Sequence, residues 1–504
     1  MDNGIRLRSA QGRWVVLAAA LGSGMAMLDS TVVNVALPHI GADLHASLAE
    51  LQWTLNAYLL TLAGLILLGG SLGDRYGRRR VFLIGGIWFA AASGLCAVAP
   101  TVGVLIVARA LQGIGGALLT PGSLALLQAT FHPDDRSAAV GAWSGLGGVA
   151  TAVGPFLGGW LVSGPGWRWI FVINLPVAVV VALLTERHVP ESRDEQATGR
   201  FDVPGAVLAA LSLGGVTYAL TAAASGVSPA VWISAVVGVL LAAVFIRVEG
   251  RRPEPMLPLG LFSSRLFSAV NVVTLGIYGA LSGILFFLQV QLQTVAGFSP
   301  VVAGVAFAPL TVLMLLFSSR AGRLATRIGP RLPLTIGPLL AAGGVLLMLR
   351  IGAHASYWAD VFPSALLFGI GLTLLVAPLT ATVLAAVDVR RAGIASGVNN
   401  AAARAAGLLA VAALPLLTGL SGTQYQVAGS VNSAFHSACL ICAGVLAGSG
   451  LLALATVPAR TEPRAEPDAT WYCGTASPPV DPGHECPGSR AGGSSGDQRM
   501  APGA

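Results

Sequence analysis

Fourteen long apolar runs divide this chain, and arginine collects in alternate gaps between them. A helix needs about 20 apolar residues to cross the hydrocarbon core of a bilayer, where every backbone N–H and C=O must be satisfied within the segment. The first seven runs are Trp14–Leu37, Leu51–Leu72, Val81–Val98, Val102–Leu127, Ala138–Val162, Ile170–Leu184 and Val203–Ala223. The second seven are Ala230–Ile246, Leu266–Val295, Val301–Phe317, Leu332–Leu349, Val361–Val387, Ile394–Leu417 and Phe435–Val457. This pattern predicts an all-α integral membrane protein whose work is done in or across a bilayer.

The charge distribution orients it. Arg6, Arg8 and Arg13 precede the first run; Arg75, Arg78, Arg79 and Arg80 follow the second; and Arg136, Arg187, Arg193, Arg200, Arg247, Arg251, Arg252 and Arg265 continue the alternation. Arg320, Arg323, Arg327, Arg331, Arg390, Arg391, Arg460 and Arg464 complete it, whereas the opposite gaps hold little beyond Arg168 and Arg350. By the positive-inside rule both termini are cytoplasmic, which requires an even number of spans. The net charge of +7 therefore belongs to span ends and anionic headgroups, not to a nucleic-acid surface. Only 10% of residues are charged, against roughly 25% in soluble domains, so no sizeable water-facing domain is available.

The first run has a basic lead like a signal peptide, but it is too long, lacks a clear cleavage site and contains Asp29, so it reads as an uncleaved first span. Beyond about Thr461 the chain is rich in Gly, Pro and Ser and reads as a disordered tail. Cys439 and Cys442 form a C-x-x-C inside an apolar run, where packing is the expected role. The histidines are scattered, with no metal-ligand cluster, and no cofactor is expected. A phosphate-binding G-x-x-x-x-G-K-[ST] loop is impossible in a chain without lysine, which excludes ATP-driven pumping by this polypeptide.

An internal repeat organises the runs. GSLGDRYGRRR from Gly70 and GRLATRIGPRL from Gly322 align so that Gly70, Arg75, Gly77 and Arg79 fall on Gly322, Arg327, Gly329 and Arg331. The shared spacing predicts two six-span halves separated by an inserted pair. The expected divisions are a cytoplasmic N-terminus (1–13), an N-terminal half (14–186), an inserted pair with its loops (187–265), a C-terminal half (266–460) and a tail (461–504). Parallel repeats of this kind place a substrate path between the halves.

Several motifs resemble the major facilitator superfamily, and within it the fourteen-span drug:proton antiporters. Gly70-x-x-x-Asp74-Arg75-x-Gly77-Arg78-Arg79 looks like the loop 2–3 signature of the superfamily, and LDSTVVNVALP from Leu28 looks like the first-span signature of the fourteen-span family. Arg109-x-x-Gln112-Gly113 resembles its embedded arginine motif. Gly154, Pro155, Gly158 and Gly159 lie in a segment, GPFLGG, similar to the motif associated with antiporters; WRWIFVINLP, PLGLFSSRLF and LQTVAGFSP are weaker matches. The resemblance covers the chain to about Val457 and implies a monomeric transporter of the major-facilitator fold in a bacterial plasma membrane. It also implies that loop 2–3 is a conformational latch. Plain topology-setting charge accounts for Arg78–Arg80 but not for Asp74, and the second copy, with Thr326 in place of the aspartate, should be weaker.

Asp29 and Arg109 are the proton-coupling candidates. An embedded charge costs at least about 2.5–3.5 kcal/mol on insertion scales, so such residues are functional by default. Burial disfavours the charge on Asp29 and a nearby arginine favours it, an opposition suited to a group that changes protonation with access state. The structural alternative is a fixed ion pair joining spans one and four. Asn34, Gln112, Gln289, Gln293 and Arg404 are candidates for the substrate pathway, although Gln289, Gln291 and Gln293 fit a capping role at a span end equally well.

The later spans contain no clear mid-membrane acid, which disfavours dicationic substrates and suits a neutral, zwitterionic or monocationic amphiphile. The function expected is proton-driven export of drugs, antibiotics or other small amphiphiles by alternating access. The partners are substrate, protons and bilayer. A symporter importing a nutrient, or a membrane sensor signalling through the tail, are the alternatives; the GPFLGG segment and the embedded charges speak against them.

Overall fold

The computed structural model describes residues 4–193, 202–252, 255–306, 308–387 and 392–459. Fourteen helices in it are long and apolar enough to cross a membrane. The first seven are α1 Ala10–Asp43, α2 Leu48–Tyr76, α3 Arg78–Ala97, α4 Val102–Thr130, α5 Pro133–Ser163, α6 Trp169–His188 and α7 Val203–Ala223. The remainder are α8 Pro229–Glu249, α9 Arg265–Val295, α10 Pro300–Ile328, α11 Arg331–Arg350, α12 Tyr357–Ala385, α13 Ile394–Thr418 and α14 Ala428–Thr456. The tail, and with it the expectation for residues 461–504, lies outside the described residues, as do Arg200, Arg390, Arg391, Arg460 and Arg464.

Polar residues start these helices where the apolar runs begin. Ser9, Thr101, Asp202, Ser228, Ser264 and Ser299 each accept an N–H of the first turn, and Ser47 with Glu50 forms a reciprocal capping box on α2. Each cap satisfies donors that the helix itself leaves free. Trp232, Val236, Val239 and Leu240 of α8 are exposed, as suits a face turned to hydrocarbon rather than water.

In the first half α2 packs on α4, α3 on α4 and α1 on α5; in the last, α11 on α12, α9 on α13 and α11 on α14. The inserted helices pair with each other, and α7 lies against both α2 and α13. Small residues set these approaches. A Cβ at Gly115 would lie 2.7 Å from the Phe89 nitrogen and one at Gly344 2.5 Å from the Phe368 nitrogen, so only glycine lets those backbones touch.

The two repeated loops also share backbone geometry. Gly77 and Gly329, aligned in sequence, have φ of +107° and +85°. Both are left-handed turns that glycine adopts without steric penalty. Gly70 and Gly322 face equivalent helices, α4 at Pro121 and α12 at Ala377.

Candidate functional site

Asp29 and Arg109 meet inside the first half. Arg109 Nη1 lies 2.5 Å from Asp29 Oδ2, and the two side chains are 1% and 0% exposed. Arg109 sits seven residues from the start of α4 at Val102, about 10 Å below the arginine-poor end of the bundle at 1.5 Å per residue.

The surroundings engage both groups. Arg109 also donates from Nη1 to Gln112 Oε1 at 2.6 Å and from Nε to the Thr54 carbonyl at 3.1 Å. Its guanidinium stands 4.4 Å from the Tyr58 ring centroid and 5.8 Å from that of Phe171. Asp29 Oδ1 accepts from Gln112 Nε2 at 2.9 Å and from Asn174 Nδ2 at 3.4 Å. Ser93 Oγ accepts from Gln112 at 2.8 Å and from Asn174 at 3.2 Å, closing the network. Donors on both oxygens match an ionised carboxylate, because a protonated acid would turn one acceptor into a second donor facing N–H groups. In this conformation Asp29 is held by donors on both oxygens.

Sequence reasoning located Asp29, Arg109 and Gln112 and missed Ser93, Asn174, Thr54 and Tyr58. Asn174 carried a signal, as an amide inside the apolar segment WRWIFVINLP. Nothing distinguished Ser93.

The GPFLGG segment is a contact surface in α5. A Cβ at Gly154 would meet Thr31 Oγ1 at 2.0 Å, and one at Gly158 would meet Val32 at 3.0 Å. Gly159 faces the Pro300 carbonyl, 2.4 Å from its Cβ position, and Gly304 of α10 faces the Pro155 carbonyl at 2.1 Å. Thus α5 is pressed onto α1 by two glycines and across to α10 by another pair.

Hydrogen bonds toward the arginine-poor end join the first six spans to the last six. Gln293 Nε2 donates to the Val35 carbonyl at 2.9 Å, Tyr425 to Ala46 at 2.7 Å, Gln52 to Val411 at 2.6 Å, and the Leu48 amide to Gly422 at 2.9 Å. Gln289 donates to the Ala303 carbonyl at 3.4 Å and Asn34 bonds back to the Ser30 carbonyl, so neither reaches the other half. Arg404 is half-buried on α13. It lies seven residues after Gly397, which meets Leu67, and seven before Val411, which meets Gln52. Two helical turns either way keep Arg404 on the face toward α2, where it acts electrostatically on Tyr58 and Tyr278.

At the arginine-rich end Asp74 is paired with Arg78, at 2.9 Å to Nε and 2.7 Å to Nη2. Glu191, which sequence reasoning did not single out, completes the loop. It accepts the Arg79 amide at 3.1 Å and lies over Gly77, and the Ser192 carbonyl takes the Arg78 amide at 2.9 Å. A carboxylate at the N-terminus of α3 is favoured by the helix dipole. In the second copy Thr326 only bonds back to Arg323, while Arg331 reaches the Leu454 carbonyl at 2.7 Å.

Residues 19–411 match the family described as Major Facilitator Superfamily. The chain belongs to it. This is a family of transporters rather than enzymes, and the chain is a multi-pass membrane protein. Among its relatives is the puromycin resistance protein pur8 of Streptomyces alboniger, 37% identical, with 89% of this chain and 92% of that one covered. The tetracenomycin C resistance and export protein of Streptomyces glaucescens is 38% identical over 80% of this chain and 75% of its own. The multidrug efflux pump LfrA of Mycolicibacterium smegmatis is 35% identical over 78% and 79%. Among solved structures, a peptide transporter POT in complex with sulfate superposes with a TM-score of 0.66 at 15% identity, covering 90% of this chain and 96% of that one. A D-xylose–proton symporter gives 0.62 at 16%, covering 88% and 98%. These structural likenesses establish the major-facilitator fold, and the sequence relatives point to a drug transporter.

Proposed function

We propose that this protein exports drugs, antibiotics or related small amphiphiles from the cytoplasm in exchange for protons, by alternating access of its two halves in a bacterial plasma membrane. The observation that carries the proton step is the buried Asp29–Arg109 pair with Gln112, Asn174 and Ser93. In this reading the carboxyl, with charged and neutral donors on both oxygens, has already delivered its proton. It would have to exchange those donors for water or substrate to regain one. With the positive-inside orientation, the arginine-poor end is extracellular and closed here. Asp29 in its released state, with the outer side sealed, corresponds to the step at which a proton has been delivered inward and substrate loads.

One proton entering through about 100 mV supplies about 2.3 kcal/mol, and each unit of pH gradient about 1.4 kcal/mol. Together they sustain roughly a several-hundred-fold outward gradient of a neutral substrate. Asp29 and Arg109 cancel, whereas Arg404, on the face toward α2, has no ion pair among the described residues. It favours substrates that present a carboxylate, phenolate or carbonyl to a cation, and it narrows the expected range away from monocations.

Everted membrane vesicles with an imposed pH gradient, supplied with puromycin or tetracenomycin C as probe, test the reading. Accumulation that collapses with the gradient is expected. Accumulation that is indifferent to the gradient would overturn proton coupling, and accumulation in energised right-side-out vesicles instead would establish import.

A further inference from the structure

The inserted pair carries a second ionisable cluster, remote from Asp29. Asp202 precedes α7 and Glu249 ends α8, so the helical hairpin brings both carboxyls to its arginine-rich base. Asp202 Oδ1 accepts the Gly205 amide at 2.7 Å and pairs with Arg252 at 2.5 Å. Glu249 Oε2 accepts the Leu257 amide at 2.7 Å. The remaining oxygens, Asp202 Oδ2 and Glu249 Oε1, are buried without a donor, on residues only 7% and 1% exposed. They face one another: a Cβ at Gly205 would lie 2.5 Å from both, and the two carboxyls are within hydrogen-bonding reach.

Two ionised oxygens facing each other out of water repel, and two carboxylates against one arginine leave the cluster with a net negative charge. A single proton removes both penalties, since a carboxylic acid donates to the carboxylate opposite it. We propose that Asp202 and Glu249 bind one proton between them at neutral pH, and that this carboxyl pair is a pH-sensitive clamp on the base of the inserted helices. The proton bonds Glu249 Oε1 to Asp202 Oδ2, leaving Asp202 charged toward Arg252. Glycine at 205 is required, because any side chain there would occupy the space of the shared proton.

The groups facing the pair are Arg252 and the amides of Gly205, Met256 and Leu257. Of the other helices packed on α7, α2 ends at this level with Asp74, engaged by Arg78, and Arg75, beside the Tyr76 ring; the charge on α13 is Arg404, turns deeper. The clamp bears on transport through α7, whose Ala210 and Gly214 pack on Gly64 and Leu60 of α2, beside the seam between the halves.

The signs are opposite at the two ends of the pH range. Burial pushes the Asp202 carboxyl up, but the hydrogen bond from Glu249, the Gly205 amide and Arg252 hold it below the usual carboxylate range. Its contribution is therefore lost as pH falls through that lowered value. The shared proton is bound in the folded hairpin and absent from the unfolded one at neutral pH, so its contribution is lost as pH rises through the titration of the pair.

The test compares the purified full-length protein with Glu249→Gln, whose amide donates to Asp202 at every pH. In wild type, hydrogen exchange at the start of α7 should accelerate relative to Glu249→Gln at the same pH, by up to about tenfold per pH unit above the titration, the limit for one proton. Infrared difference spectra should show a carboxylic-acid carbonyl band at neutral pH that Glu249→Gln abolishes. An unchanged band, or parallel exchange profiles in the two proteins, would overturn the proposal. Protection that follows sodium concentration at fixed pH would replace the proton with a metal cation and overturn it equally.

Discussion

Gln293 Nε2 donates across the seam to the carbonyl of Val35, 2.9 Å away, tying the end of α9 to α1. The π-helical turn at Gln291–Val295 sets this side chain one turn beyond Gln289, its neighbour at 3.5 Å. Opening at the arginine-poor end must break the bond. A neutral hydrogen bond is worth about 1 kcal/mol net, roughly a fivefold population shift. Gln293→Leu should therefore increase labelling of a cysteine placed at the buried Ala46 by a membrane-impermeant maleimide several-fold. Unchanged labelling would show that the bond does not hold the closed state.

The glycines of α5 separate two kinds of contact. Gly158 meets Val32 within its own half, where alanine is tight but leucine cannot fit. Gly158→Leu should abolish transport or cause leak, with Gly158→Ala retaining more activity. Gly159 meets the Pro300 backbone across the seam, so Gly159→Ala should disfavour this closed conformation specifically. The same cysteine-labelling assay reads that as exposure, with folding preserved in thermal unfolding. Equal labelling in both alanine variants would remove the distinction.

In the loop after α2, Asp74→Asn removes the negative charge paired with Arg78, and Glu191→Gln weakens the cap over Gly77. Both pairs are partly exposed, worth at most about 1 kcal/mol each, so membrane insertion should be unaffected and turnover reduced. Thr326→Ala, which loses only a local bond to Arg323, should leave transport near wild type. Equal impairment by Asp74→Asn and Thr326→Ala would deny the asymmetry between the copies.

The spans, their order and the embedded charges of Asp29 and Arg109 are legible because hydropathy and embedded charge are properties of sequence alone, whereas a direct pair between the two was only one of two alternatives. The partners of that pair were less so. Gln112 lies three residues from Arg109 on one helix face, a spacing sequence reveals, whereas Ser93 and Asn174 arrive from α3 and α6 through helix register. Glu191 and the Asp202–Glu249 pair escaped notice for a different reason. Each sits at a span end, where acidic residues are ordinary; only the fold brings Glu191 over Gly77 and buries Asp202 against Glu249. Asn34 and Gln289, chosen for polarity alone, satisfy backbone carbonyls nearby.

Among the described residues, Arg404 makes no ion pair or hydrogen bond, and its charge lies on the face toward α2. A charged hydrogen bond to substrate is worth about 1.5–3 kcal/mol, or roughly 10–150-fold in affinity. Wild type should therefore bind a carboxylate-bearing amphiphile more tightly than its methyl ester, and Arg404→Gln should erase the preference while leaving ester binding unchanged. Tryptophan quenching measures both constants. A preference that survives Arg404→Gln would place anion recognition elsewhere.

Asp29→Asn addresses the proton directly. Asparagine keeps the size of the side chain but places an amide where Gln112 or Asn174 now donates, and it leaves Arg109 buried without a counter-charge. Breaking a buried pair on one side costs about 3–5 kcal/mol, so expression is checked beside Asp29→Asn/Arg109→Gln, which removes both charges. Either protein that reaches the membrane should lose gradient-driven export in proteoliposomes while retaining downhill substrate exchange, since exchange needs no proton cycle. Asp29→Glu, which can still carry a proton, should keep partial activity with a displaced pH dependence. Wild-type-like, gradient-dependent flux by Asp29→Asn would move coupling to another residue and reduce the pair to a tie between α1 and α4.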